Sequence, residues 1–570
     1  MKRFAIPALL AVASIAVYLP TLKFDFVIDD SRQIEMMESR FTWSQIPSYF
    51  TTDVWSYVER DKANYYRPVF LLWLMLNYQI FGLDHAAWHA GTVLAHALAT
   101  LLLYFLARKL TGHEIVAGIA ALIFAVDPVH LEGVAWVSGA TEPLLATLFF
   151  ATLLMFVAAW QDPLSKRAHW LRIGAVATFT LAVFTKETAV VAPLLIFGYA
   201  WLYPEREDPT RAKRARSAFA ATIPYLQVVV VYFAMRLLAL GRFSPKVGSW
   251  SLKRMIETLP AAVWFYVREL AWPFQLSVYP RVLGTWRPGL GKFILPVVGS
   301  AIAIAGLIWI ARQSRITAFC VLLLVIPLLP VFDLRAFAPD DFAHDRYLYV
   351  PSAGLCILLA LWLRRLGEFS RIAANGVTAA LVAVLAFFTI HECQPWRDPL
   401  VLAEHAVAVA PDSLPAERLM ASALILRDRY AEATPWVERV LKATPESAIM
   451  HMTLGLCYLR AGKWSQSAAE FRVALTGIPD SPQGYLCLGM AELEMGEVQD
   501  AEAHMREAVR LRPRASVQYR GYRWYLADLL ERKGDLQGAL AEYNAEIEEY
   551  PDEGWVLERV SALKRKIAGN

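Results

Sequence analysis

The chain has 570 residues, 57% of them hydrophobic and only 19% charged, with a mean hydropathy of +0.37. A water-soluble chain of this length ordinarily carries about a quarter charged residues, so the composition points to a polytopic membrane protein. A net charge of +4, with no basic block interleaved with aromatics, gives no footprint for nucleic acid, which is set aside as a partner.

Apolar runs fall at residues 4–20, 87–107, 114–127, 142–160, 170–184, 188–203, 218–240, 292–311, 316–332, 347–366 and 372–391. They predict an all-α, polytopic helical membrane domain of about eleven spans. The first run follows Lys2 and Arg3 and holds Ala11, Ala13 and Ala16, as a signal peptide would. It stays apolar to Leu19, so an uncleaved first helix is expected. Two further stretches are expected to lie in the interface: 68–82 carries Asn77 and Gln79, and 258–276 carries Arg268 and Glu269. The basic residues test this count, because each added span inverts everything after it. With eleven spans, Arg108 and Lys109, the stretch with Lys166, Arg167 and Arg172, the segment EREDPTRAKRAR, Arg312 with Arg315, and Arg364, Arg365 and Arg371 all fall inside. The outer face then receives Asp29 and Asp30, the loop 127–142, Lys186 and Glu187, the loop 338–349 and everything beyond residue 391.

From about residue 395 the long apolar runs stop, which divides the chain into a membrane domain over 1–394 and a second domain over 395–570. Pro411, Pro445, Pro479 and Pro513 recur at intervals of 34 residues, as do Gly455 with Gly489 and Gly462 with Gly496. That period predicts a tetratricopeptide-repeat α-solenoid of helix pairs, with 552–567 as a capping helix. Such a stack offers a concave face suited to an extended polypeptide; a passive spacer or an oligomerisation arm is the alternative. The five cysteines lack zinc-ligand spacing and read as buried small residues, although Cys457 and Cys487 could pair in an oxidising compartment.

Chemistry is sought on the outer face. Asp29 and Asp30 are adjacent carboxylates that repel, so one is expected to titrate high and serve as a general base, unless a divalent cation compensates the pair. The alternative is a solvated acidic pair at a helix end. His130, Glu132 and Glu142 flank Trp136 and are candidates to orient a polar ligand; no ligand spacing specifies a metal. Lys186 and Glu187 interrupt an apolar stretch, and Arg346 sits in HDRYLYVP. Cations at this level suit a lipid phosphate, against the alternative of side chains that snorkel to anchor helix ends. Together the groups suit a reaction in which a base takes a hydroxyl proton, the oxygen attacks a sugar carbon and a phosphate leaves against Lys or Arg. No nucleotide-binding glycine loop is present.

The motifs FVIDD, YYRPVF, WHAGTVLAHAL, FAVDPVHLEGVAWVSG, FTKE, DRYLYVPSAG and PWRDPLVLAEHAVAVAP, in that order and followed by repeats, resemble the transmembrane and tetratricopeptide-repeat O-mannosyltransferases of the glycosyltransferase-C superfamily. The resemblance implies inverting transfer of a hexose, typically mannose, from a polyprenyl or dolichyl phosphate to Ser or Thr of secreted protein. It implies Asp29 as base with Asp30 its partner, His130 and Glu132 in the second-loop motif, and Lys186 and Arg346 facing the lipid phosphate. Ala140 and Glu142 depart from the Arg and Asp that the family tends to carry after the second-loop Gly. A lipid or polysaccharide transferase of the same superfamily, a protein like the O-antigen ligases, and a catalytically silent scaffold with a protein-binding repeat domain are the alternatives. None of the five Asn starts an Asn-x-Ser/Thr sequon, which favours a bacterial cytoplasmic membrane with periplasmic repeats over an endoplasmic reticulum membrane.

Overall fold

The structure is a computed structural model that describes residues 2–56, 65–204, 210–241, 250–280, 290–338, 341–512, 519–551 and 554–569. Residues 205–209 of the EREDPTRAKRAR segment, residues 339–340 of the loop 338–349, and Pro513 lie outside the described residues. The described chain is helical, and its bridge Ala338 to Asp341 is isolated. Two compact units divide it, Met1–Ser413 and Leu414–Asn570.

In the first unit, seven helices among the described residues are long and apolar enough to cross a bilayer: His85–Thr111, Ser138–Gln161, Ala168–Thr185, Arg211–Leu240, Phe293–Ala311, Arg315–Phe332 and Arg371–Arg397. An eighth arises if the bent pair Glu114–Ala125 and Pro128–Val134 is one span. The other three expected spans are helices too, Lys2–Ala16, Ala192–Leu202 and Ser352–Phe369. The first two are short, and Ser352–Phe369 carries Arg364, Arg365 and Glu368 toward its C-terminal end. Ile302, Trp309, Ile372 and Phe387 stand exposed on the long helices. Apolar surface on this scale is tolerated where lipid replaces water, and helices satisfy their backbone groups internally there, so the chain is a multi-pass membrane protein. The ends are built locally: Asp84 accepts from the amides of Ala86 and Ala87 to start His85–Thr111, and Ser314 with Thr317 forms a capping box.

Among the described residues, the second unit is four helix pairs and a last helix. The pairs are Leu414–Leu426 with Tyr430–Ala443, Ala448–Arg460 with Trp464–Gly477, Pro482–Met495 with Val498–Leu511, and Tyr522–Lys533 with Leu536–Glu549. Gly489 shows why a small residue recurs at the crossing: a Cβ there would sit 2.8 Å from Met505 and 2.9 Å from the Ala501 carbonyl. The last helix, Gly554–Gly569, closes the stack by packing Val556, Val560 and Leu563 into the core with Leu526 and Tyr543. All five cysteines are buried free thiols, so Cys457 and Cys487 are not bridged.

Candidate active site

After the first helix the chain passes through the short turn Leu19–Lys23 and buries Phe24, Phe26 and Val27. Alternation then breaks at a turn closed by the Asp30 amide donating to the Val27 carbonyl at 3.1 Å. Ile28 occupies its first central position with φ +53°, while Asp29 does not share the positive φ. A positive φ of this size is the region where glycine is the usual resident. A β-branched residue in that region costs of order 1–3 kcal/mol and persists only where its surroundings over-determine it.

The turn separates the two acids. Asp29 is half-buried and lines a cleft, whereas Asp30 is fully buried. The Asp30 carboxylate accepts from the Ser138 amide at 2.7 Å, the Ser138 hydroxyl at 2.5 Å and the Val27 amide at 3.1 Å. Burial pushes its pKa up to about 7, these hydrogen bonds pull it down, and the charge of Asp29 raises it further.

The loop 127–142 is a chain of short turns. Asp127 caps Pro128–His130, the turn Leu131–Val134 follows, and Gly139 crosses so close to the Glu132 carbonyl that a Cβ would lie 2.3 Å from it. Glu132 and Glu142 are both buried. Glu132 accepts from the Arg346 backbone amide at 3.1 Å and pairs with the Arg346 guanidinium. Glu142, in the first turn of Thr141–Gln161, pairs with Lys186. Burial lowers the Lys186 pKa, and Glu142 opposes the shift. Glu187 pairs with Arg67 through bonds of 2.9 and 2.6 Å. Burial raises its carboxyl, but Arg67 outweighs it and holds the pKa at about 2.

These segments meet around a cleft of about 290 Å³. Asp29, Gln33 and Ser138 lie on its wall together with Lys186, Glu187, Arg67, Arg236 and Arg346, among the aromatic rings of Trp55, Tyr65, Phe70, Trp136, Phe233 and Tyr347. Arg346 lies over the rings of Trp136 and Tyr347 at 5.6 and 5.2 Å, and Lys186 is 5.1 Å from that of Tyr347, contacts that hold a cation without neutralising it. Of the expected site residues, Asp29, Lys186, Glu187 and Arg346 line the cleft, while Asp30, Glu132 and Glu142 stand behind it and hold the groups that do. His130 is turned elsewhere: its Nε2 meets the Ser352 hydroxyl at 2.9 Å and its ring packs on Phe124 and Tyr349. Among the described residues no group of three or more His, Cys, Asp or Glu is placed to hold a metal ion.

The sequence reading misses Arg67 and Arg236. Arg67 stands in YYRPVF without an assigned role, and Arg236 sits inside the run 218–240, read as uninterrupted apolar span. A lone arginine inside an apolar helix is the signal that could have found it.

Residues 66–238 match the family described as dolichyl-phosphate-mannose-protein mannosyltransferase, and residues 418–482 and 487–554 match the tetratricopeptide repeat. The chain is 25% identical over 503 residues to the protein O-mannosyl-transferase TMTC1 of Homo sapiens, covering 79% of this chain and 56% of that protein. It is 22% identical over 549 residues to TMTC3 of Mus musculus, covering 87% of this chain and 59% of that protein. TMTC2 of Mus musculus is 32% identical over 145 residues, 25% of this chain and 17% of that protein. The chain thus spans little more than half the length of TMTC1 and TMTC3. Among solved structures, ArnT from Cupriavidus metallidurans aligns at a TM-score of 0.41 and 16% identity, over 89% of this chain and 80% of that one.

Proposed function

We propose that this chain, which joins a region matching the mannosyltransferase family to tetratricopeptide repeats, is a glycosyltransferase. It transfers a hexose, mannose by its relatives' names, from a polyprenyl or dolichyl phosphate to Ser or Thr hydroxyls of polypeptides. The observation that carries the reading is one cleft in which the Asp29 carboxylate shares a wall with Lys186, Arg67, Arg236 and Arg346. A carboxylate opposite several cations suits a substrate with a hydroxyl to deprotonate at one end and a phosphate to stabilise at the other.

Asp29 takes the acceptor hydroxyl proton as that oxygen attacks the anomeric carbon. The bond from that carbon to the phosphate oxygen breaks on the opposite face, so configuration inverts. The lipid phosphate leaves with the electron pair, its charge met by Lys186 and Arg346, and the proton on Asp29 passes to solvent. The aromatic walls suit a sugar and the first units of a lipid tail. The repeats, on the same outer side by the positive-inside count, bind the acceptor polypeptide, and the setting is a bacterial cytoplasmic membrane with the repeats in the periplasm.

The test uses membranes holding the full chain, with radiolabelled mannosyl phosphoryl polyprenol as donor and protein-bound label as readout. Asp29→Asn is expected to lower transfer by about 10²–10⁴-fold while the protein still reaches the membrane. Transfer at the native rate by Asp29→Asn sinks the mechanism.

A further inference from the structure

We propose that Ile28 and Ser138 are positioning residues for Asp29: a clamp of Ser138, Asp30 and the Val27 amide holds the left-handed turn at Ile28 and so fixes where the Asp29 carboxylate enters the cleft. The inference rests on the reading of Asp29 as the base.

Three observations carry it. The Asp30 carboxylate is closed off from the cleft, and its oxygens take three donors, two from Ser138 and one from Val27. Ser138 lies 108 residues further along the chain, so one buried side chain ties the turn at Ile28 to the loop 127–142. Secondly, the backbone of Asp29 is held on both sides. The Asp30 amide closes the turn onto Val27 at 3.1 Å, and the Asp29 carbonyl accepts from the Gln33 amide at 2.8 Å, which joins it to the helical turn Ser31–Glu35.

Thirdly, Ile28 holds φ +53° although glycine would adopt that conformation without penalty. Ile28 is not on the cleft wall, so contact with substrate does not explain it. Strain of this kind at a site's edge is maintained where a defined backbone path is worth more than local stability. Glycine would remove the strain and also admit other paths, which would let the Asp29 carboxylate wander from its place among the cations. Ser138 acts on the same turn from the other side, through Asp30.

The test measures kcat and donor KM with radiolabelled mannosyl phosphoryl polyprenol, and thermal unfolding, for the full chain in membranes or detergent. Ile28→Gly is expected to lower kcat about tenfold, since small misplacements of a reacting group are costly, with donor KM within about twofold of native and no loss of thermal stability. Ser138→Ala is expected to lower kcat by a similar factor. Native kcat in both variants overturns the proposal. So does a loss in Ile28→Gly that comes with a raised KM and a lower melting temperature, because a merely structural role predicts that combination. Asp29→Asn in the same assay separates the two levels. If it is inactive while Ile28→Gly and Ser138→Ala are native, only the positioning role fails; if it is active, the reading of the base fails and the positioning role with it.

Discussion

Asp29 and Asp30 are chemically identical neighbours, and their environments give them different work. One carboxylate meets the cleft, and the other is spent on three hydrogen bonds that hold loops together. The same division runs through the ion pairs. Lys186 and Arg346 reach the wall, while their partners Glu142 and Glu132 are buried behind them. A buried charge left without its partner costs more than the intact pair contributes, commonly about 3–5 kcal/mol. Glu142→Gln is therefore expected to destabilise the membrane unit by about 3 kcal/mol and to weaken donor binding, because Lys186 loses the group that aims it. Thermal unfolding in detergent with donor KM measured alongside checks this, and a native melting temperature with a native KM would show that Glu142 orients nothing.

At the scale of elements, the repeat helices are joined by polar contacts as well as by their apolar crossings. His451, in Ala448–Arg460, is 2.6 Å from Glu470 in the following helix, and His504, in Val498–Leu511, is 2.6 Å from the buried Glu492 in the preceding one. For His451 burial lowers the pKa, but the hydrogen bonds to Glu470 and the Pro445 carbonyl outweigh it; for His504 the bond to Glu492 raises it. Both folded pKa values stand above the ordinary histidine value of about 6.5. The stability these pairs contribute is therefore fully present below about pH 6.5 and is lost as pH rises through the folded values. Hydrogen exchange, corrected for its intrinsic pH dependence, is expected to report weaker protection of 448–511 at pH 8.5 than at pH 6. Equal protection at both would remove the pairs from the account.

At the scale of the molecule, the chain divides into a unit that holds the cleft and a unit of tetratricopeptide repeats. If the repeats serve acceptor choice, deleting residues 414–570 lowers protein-bound sugar by more than tenfold but leaves turnover of the donor to free sugar within about twofold. Assays of both products on one membrane preparation decide it, and equal loss of the two would assign the repeats a role in folding.

The helices and the repeat period were legible because they are local: apolar length and a 34-residue interval need only neighbouring residues to be read. The spacing of the basic connections led to the expectation that the loops holding Asp29, Ser138, Lys186 and Arg346 share one face, and these four residues line one cleft. Local pattern could not show which of two adjacent acids would turn outward, since that depends on Ser138 arriving from 108 residues away. Nor could it separate His130, turned toward Ser352, from its neighbour Glu132, which grips Arg346. Arg236 was hidden by the apolar residues around it, and only the packing of its helix brought it to the cleft. Secondary structure follows from short-range pattern, whereas the choice of which charge is buried and which is presented depends on partners that meet only when the chain has folded.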